Sequence, residues 1–145
     1  MSASRRVLRV LLVDDSETFL AGASVWVSSQ PGLVLAGTAH SGAEALIVAD
    51  DVRPDLVLMD AAMHGIDGFE ATRRLKARES APQVVLLTSY DTLASRRDAW
   101  ACGADGFVAK ADVSARLLEV IRKLFEIDGL GDDGAPSRSP RVIRD

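Results

Sequence analysis

At 145 residues the chain is long enough for one domain with a sizeable core, and 48% hydrophobic with 26% charged content matches a soluble globular protein. With 17 basic against 21 acidic residues the net charge is −4, which gives no support for binding of nucleic acid or anionic membranes by this chain itself. No apolar run approaches the roughly 18 residues of a membrane helix, and the single cysteine, Cys102, cannot form an internal disulfide, so a cytoplasmic location is expected.

The first residues, Met1 to Arg9, carry charge but no cleavage pattern, because the apolar run Val10–Val13 passes straight into Asp14 and Asp15. Glu17–Ser29 then places Phe19, Leu20, Ala23, Trp26 and Val27 at helical spacings. A weaker apolar run, Leu33–Ala36, precedes Ser41–Val52, where Ser41 and Glu44 are spaced as a capping box. Leu56–Met59 is apolar throughout and is followed by Asp60, and Gly68–Glu79 has helical length. Val84–Leu87 leads into Thr88, and Thr92–Cys102 is expected as a helix closed by Gly103. The short run Gly106–Ala109 leads into Lys110. Asp112–Ile127 carries the clearest helical stripe, Val113, Leu117, Val120, Ile121 and Leu124, with Asp112 as its cap. Residues 128–145 hold three glycines, two prolines and four aspartates with little to pack. The expected organisation is one domain over 7–127 and a flexible tail or linker over 128–145.

Short apolar runs without strict alternation suit parallel strands covered on both faces. Five alternations of strand and helix predict an α/β fold, a doubly wound parallel sheet, because a barrel needs about eight such units. Residues that directly follow the strands of such a sheet share its carboxyl edge, where ligands bind. Asp14, Asp15, Asp60, Thr88 and Lys110 are therefore expected to converge on one crevice. Clustered carboxylates repel unless a cation neutralises them, and hard oxygen donors around a small gap favour Mg²⁺. With Lys110 and Thr88 added, the set can hold a phosphoryl group, and Asp60 can attack phosphorus to become an aspartyl phosphate.

The order Asp14-Asp15, Asp60, Thr88, Lys110 resembles the response-regulator receiver domain of bacterial two-component systems, as do the stretches LLVDDS, DLVLMD followed by AAMHGIDG, VVLLTS and GADGFVAK. The resemblance covers residues 7–127. LTSYDT and LLEVIRKL look most like the subfamily that often carries a C-terminal helix-turn-helix, although only 18 residues remain after Ile127 and no such domain is expected among them. The resemblance implies a flavodoxin-like (β/α)5 fold with strand order 2-1-3-4-5. It implies that Asp60 is the phosphoacceptor and that Asp15 and Asp60 are Mg²⁺ ligands, with Asp14 acting directly or through water. The backbone carbonyl of Ala62 is the implied third protein ligand. Thr88 is similar to the family's switch hydroxyl, Lys110 to its phosphoryl-pairing lysine and Phe107 to its rotating aromatic.

The implied partners are a sensor histidine kinase or phosphotransfer protein and an unnamed output partner, and the sequence leaves open whether a second copy of the chain joins on phosphorylation. Thr88 would move toward the new phosphoryl oxygens and the space it leaves would admit Phe107, altering the surface of the fourth helix, fifth strand and fifth helix. Two residues depart from the family's pattern. His64 stands where proline commonly follows the loop methionine, and Ala111 where a cis proline commonly follows the lysine. A cis bond before a non-proline residue costs about 3–4 kcal/mol, so a trans bond is expected.

Taken singly, each of these residues has a plain explanation. The Asp pair would cap a helix or turn, Asp60 would cap a loop, and Lys110 would be a solvated surface lysine. Only their joint placement at successive strand ends carries the argument. His64 is expected to be exposed and inert, and Cys102, Trp26 and Trp100 to be packing residues. Leu118 and Phe125 either finish the core or form a partner-binding patch. A phosphatase with an aspartyl intermediate would want an Asp-x-Asp pair at the first strand, whereas here the acids are adjacent. A phosphorylation-independent adaptor is opposed by the intact acidic set. A DNA-binding regulator fits only if the chain is the regulatory fragment of a longer one. Enzymatic activity is expected only on the chain itself, as its own phosphorylation and slow dephosphorylation.

Overall fold

The computed structural model describes residues 7–130, so most of the expected tail, residues 131–145, lies outside the described residues. Strand β1 (Leu8–Val13) is followed by α1 (Glu17–Ser28), β2 (Leu33–Ala39), α2 (Gly42–Val52) and β3 (Leu56–Asp60). Then come α3 (Gly68–Lys76), β4 (Gln83–Thr88), α4 (Leu93–Ala101), β5 (Gly106–Ala109) and α5 (Leu118–Leu130). All strand pairs are parallel and the sheet order is β2-β1-β3-β4-β5, as the sequence led one to expect.

Successive strand residues point to opposite faces, and both faces are covered. In β1, Val10 and Leu12 enter a core with Leu20 and Val27 of α1 and Ile121 and Leu124 of α5. Leu11 and Val13 enter a second core with Ala45 and Ala49 of α2 and Ala71 and Leu75 of α3. That double covering is why the central strands are nearly continuous apolar runs, broken in β1 by the exposed Arg9 and in β3 by the terminal Asp60. Helix α4 buries only Ala99, and this corrects the expectation for Trp100, which is 54% exposed. Trp26 and Phe125 do pack against the first core, and Cys102 is buried in the second.

The helix ends depart from the sequence pattern in several places, one being the end of α5, which runs to Leu130, three residues into the stretch expected as tail. Ser41 caps α2 by accepting from the Glu44 N–H at 3.0 Å, but the Glu44 carboxylate accepts from the His40 N–H at 2.7 Å instead of returning to Ser41. The reciprocal box occurs on α4, between Thr92 and Ser95. Helix α3 ends at Lys76, short of Glu79. The chain is held there by Lys76 Nζ on Asp105 at 2.7 Å and by Arg78 on Asp50 of α2 at 2.8 Å. Asp112 makes no capping bond through its side chain. Lys110–Asp112 forms a 3-10 turn and Val113–Leu117 a π turn before α5 begins. A π turn takes in an extra residue, which leaves Val113 at the margin of the core while Leu117 is buried inside it.

Gly103 closes α4 as expected: at φ 90° it allows its own N–H to reach the Trp100 carbonyl and that of Ala104 to reach Ala99. Arg53 does the same work at the end of α2 with φ 48°, a conformation that disfavours any side chain. Arg53→Gly is therefore expected to stabilise the protein by about 0.5–1 kcal/mol in urea unfolding. A loss of stability would mean that contacts of the Arg53 side chain outweigh its backbone strain.

Candidate functional site

The strand registers bring the polar residues level with one another. Val13 of β1 pairs with Met59 of β3, so Asp14 and Asp60 are the next step along two adjacent strands. Asp60 pairs with Leu87, one residue before Thr88, and Thr88 pairs with Ala109, one residue before Lys110. The carboxyl edge thus collects these groups because of register, without any special loop.

Asp14 is 1% exposed and Asp60 5%, while Asp15 sits on the rim. One oxygen from each of the three carboxylates can be chosen so that all lie within 4.8 Å of one another. Asp14 Oδ1 accepts from the Ser16 N–H at 2.8 Å, and Asp14 Oδ2 lies 2.6 Å from Lys110 Nζ. That second oxygen is buried and has no aligned hydrogen bond beyond this ion pair. Lys110 Nζ also lies 3.4 Å from Asp60 Oδ1, which accepts weakly from the Ala62 N–H at 3.4 Å. Burial pushes the Asp60 carboxyl up from 3.8 to about 6, with the Asp14 charge adding to the rise and Lys110 opposing it. One ammonium therefore does not neutralise the crevice. The hard oxygen donors, their mutual closeness and the half-satisfied Asp14 oxygen all fit a small divalent cation such as Mg²⁺.

Thr88 is buried at the end of β4, but its hydroxyl is turned into the following loop. It donates to the Tyr90 carbonyl at 2.9 Å and accepts from the Tyr90 N–H at 3.0 Å. The Ser95 hydroxyl reaches the same carbonyl at 3.0 Å. Phe107 is 6% exposed and packed in the second core with Ala99, Cys102 and Ala104. His64 is exposed as expected, yet its Nδ1 lies 3.2 Å from Asp15 Oδ2. The Lys110–Ala111 bond is trans, there being no cis peptide among the described residues.

Two residues at the site escaped the sequence reading. Phe19 has the spacing of a packing residue of the first helix, yet Lys110 Nζ lies 4.4 Å from the centre of its ring. Gly68 opens α3 so close to β3 that an added Cβ would lie 2.1 Å from the Asp60 carbonyl oxygen. Neither leaves a local signal, since one looks like any core aromatic and the other like any loop glycine.

A family model described as the response regulator receiver domain matches residues 10–122. The chain is 33% identical over 116 residues to the transcriptional regulatory protein LiaR of Bacillus subtilis, covering 80% of this chain and 55% of that protein. It is 36% identical over 118 residues to the response regulator protein VraR of Staphylococcus saprophyticus, covering 81% of this chain and 56% of that protein. It therefore spans little more than half the length of these curated relatives. A crystal structure of a two-component response regulator of the LuxR family from Aurantimonas sp. SI85-9A1 superposes with a TM-score of 0.78 at 28% identity. That match covers 83% of this chain and 86% of the other.

Proposed function

Because the chain belongs to the response regulator receiver domain family of two-component systems, we propose that it accepts a phosphoryl group on Asp60 and converts that charge into a change of its docking surface. The single observation that carries this reading is the buried Asp60 carboxylate beside Asp14 and the Lys110 ammonium, at the edge of the sheet where a donor can reach it. Asp14, Asp15 and Asp60 would hold Mg²⁺, with the Ala62 carbonyl as a further ligand, and the bound ion would supply positive charge against the phosphoryl oxygens.

The reaction proposed for the chain's own groups is a displacement at phosphorus. An electron pair of the Asp60 carboxylate forms the new O–P bond, while the P–N bond of a donor phosphohistidine breaks and its electron pair leaves with the imidazole. Asp60 has to be ionised for this; burial and the Asp14 charge raise its carboxyl to about 6, while Lys110 and a bound cation would both favour the charged form. Lys110 is already 3.4 Å from Asp60 Oδ1 and is placed to pair with a phosphoryl oxygen there. Thr88 reaches the same oxygens only by giving up the Tyr90 carbonyl, which Ser95 also holds. The phosphoryl group therefore competes with the β4–α4 loop for one hydroxyl, and α4, of whose residues only Ala99 is fully buried, is the helix best placed to respond. Phe107 starts from a buried position, so in this chain its part in the switch is a shift within the core.

The proposed donor is a sensor histidine kinase or phosphotransfer protein in the cytoplasm. Full-length chain incubated with acetyl phosphate and Mg²⁺ should gain one phosphoryl group by mass spectrometry, mapped to the peptide holding Asp60 and absent when the metal is chelated. An unmodified protein, or a phosphoryl group mapped elsewhere, would overturn the reading. The relatedness to a protein described as a transcriptional regulator favours control of transcription as the output, with DNA contact supplied outside this acidic chain. Sedimentation of the phosphorylated against the unmodified chain separates pairing with a second copy from docking on a different protein.

A further inference from the structure

Among the described residues, three groups lie close to the Lys110 ammonium. Asp14 Oδ2 lies at 2.6 Å, Asp60 Oδ1 at 3.4 Å, and the centre of the Phe19 ring at 4.4 Å. We propose that Phe19 is a positioning residue for Lys110, its ring face holding the ammonium over Asp60 while Asp14 is drawn to the metal. The inference rests on the phosphoacceptor reading above and adds a residue to it.

The physical need comes from the lysine itself. Its four-carbon stem has rotamer freedom whose restriction costs up to about 2 kcal/mol, and its present anchor is Asp14. That carboxylate belongs to the cluster expected to take the cation, and a carboxylate committed to a metal holds an ammonium less strongly. A benzene ring attracts an ammonium through its negative face, binds no Mg²⁺ and cannot be titrated, so its hold persists when the carboxylates change partners.

The ring is itself held in place. The Phe19 N–H donates to the Ser16 hydroxyl oxygen at 3.1 Å, and the Ser16 N–H donates to Asp14 Oδ1 at 2.8 Å. The side chain packs against the core beneath α1. Asp14, Ser16, Phe19 and Lys110 thus close a circuit that returns to Asp14 through the ion pair. The ordinary role of a core aromatic, filling space, would be served in large part by leucine, whereas the π face is kept only by another aromatic. The two roles therefore separate by substitution.

The test compares wild type with Phe19→Leu, Phe19→Tyr and Phe19→Trp. Phe19→Leu is expected to slow phosphorylation by acetyl phosphate about tenfold, with Mg²⁺ affinity unchanged within about twofold, because the ring acts on the ammonium and not on the metal ligands. At least one of Phe19→Tyr and Phe19→Trp should restore the rate, since both keep a π face. In the unphosphorylated, metal-free protein, the NMR signals of the Lys110 ε-methylene protons should be shifted upfield by the ring current and lose that shift in Phe19→Leu. Unshifted Lys110 signals in wild type would overturn the proposal. So would a Phe19→Leu variant that keeps the wild-type rate, loses metal affinity in step with rate, or is no slower than both aromatic variants. If wild type takes no phosphoryl group at all, the phosphoacceptor reading fails while the methylene signals still decide whether the ring holds the ammonium.

Discussion

Asp60→Asn is expected to abolish phosphoryl acceptance and, in the absence of a divalent cation, to make the protein more stable at neutral pH. The first effect follows from chemistry, because a carboxamide offers no anionic oxygen to attack phosphorus. The second follows from electrostatics. Burial and the neighbouring Asp14 raise the Asp60 carboxyl from 3.8 to about 6. Below the ordinary value the group is protonated in both the folded and unfolded states, and it has no effect on stability. Between the two values the unfolded chain ionises and the folded one does not, so stability falls as pH rises, and above about 6 the whole penalty is present. Its size is on the order of 2–3 kcal/mol. Asparagine carries no charge to desolvate. Urea unfolding in chelator should show the variant more stable than wild type at about pH 8 and nearly equal near pH 4. A variant less stable than wild type at the higher pH would show that Asp60 is stabilised in the fold, contrary to the crowding of acids described above.

Gly68→Ala is expected to cost about 3 kcal/mol and to disturb phosphorylation although the residue takes no part in the chemistry. A Cβ at this position would lie 2.1 Å from the Asp60 carbonyl oxygen and 2.9 Å from Ala61 Cα. Both are backbone atoms of the segment that carries the phosphoacceptor, and neither can rotate away as a side chain would. The Gly68 N–H also donates to the Ala61 carbonyl at 3.0 Å, so the start of α3 and the end of β3 are bonded as well as touching. Pushing them apart moves Asp60 relative to Asp14 and Lys110. The exposed Gly22, within α1, is the internal control. Nothing lies within 4 Å of a Cβ there, and Gly22→Ala should stabilise by up to about 1 kcal/mol. If Gly68→Ala unfolds at the same urea concentration as wild type, the close approach is slack and the positional argument fails.

Much of the site is legible in the sequence. Parallel strands all point the same way, so the residue after each strand lands on one edge, and Asp14, Asp60, Thr88 and Lys110 were identifiable from that alone. Less legible were the interactions made by Glu44, Asp112 and Trp100. Ser41 and Glu44 have the spacing of a capping box, but the carboxylate found the His40 N–H instead. Asp112 has the right chemistry for a cap, yet a π turn intervenes before α5. Trp100 is large and apolar, and helix α4 nevertheless leaves it half exposed, the neighbouring Ala99 being the one residue of that helix that is fully buried.

From its sequence alone this protein is determined as a five-stranded α/β domain with an acidic crevice at the carboxyl edge. Apolar run length, helical stripe and the residue that ends each strand are local properties, written into consecutive positions. Only the tertiary structure decided which partner each polar group takes. It turned the Thr88 hydroxyl toward Tyr90, set Lys110 between two carboxylates and the Phe19 ring, and seated Gly68 against the backbone of Asp60. Hydrogen bonds and close contacts depend on distances of a few tenths of an ångström between segments remote in the chain. Those distances are set by how the helices pack on the sheet, and no local pattern contains them.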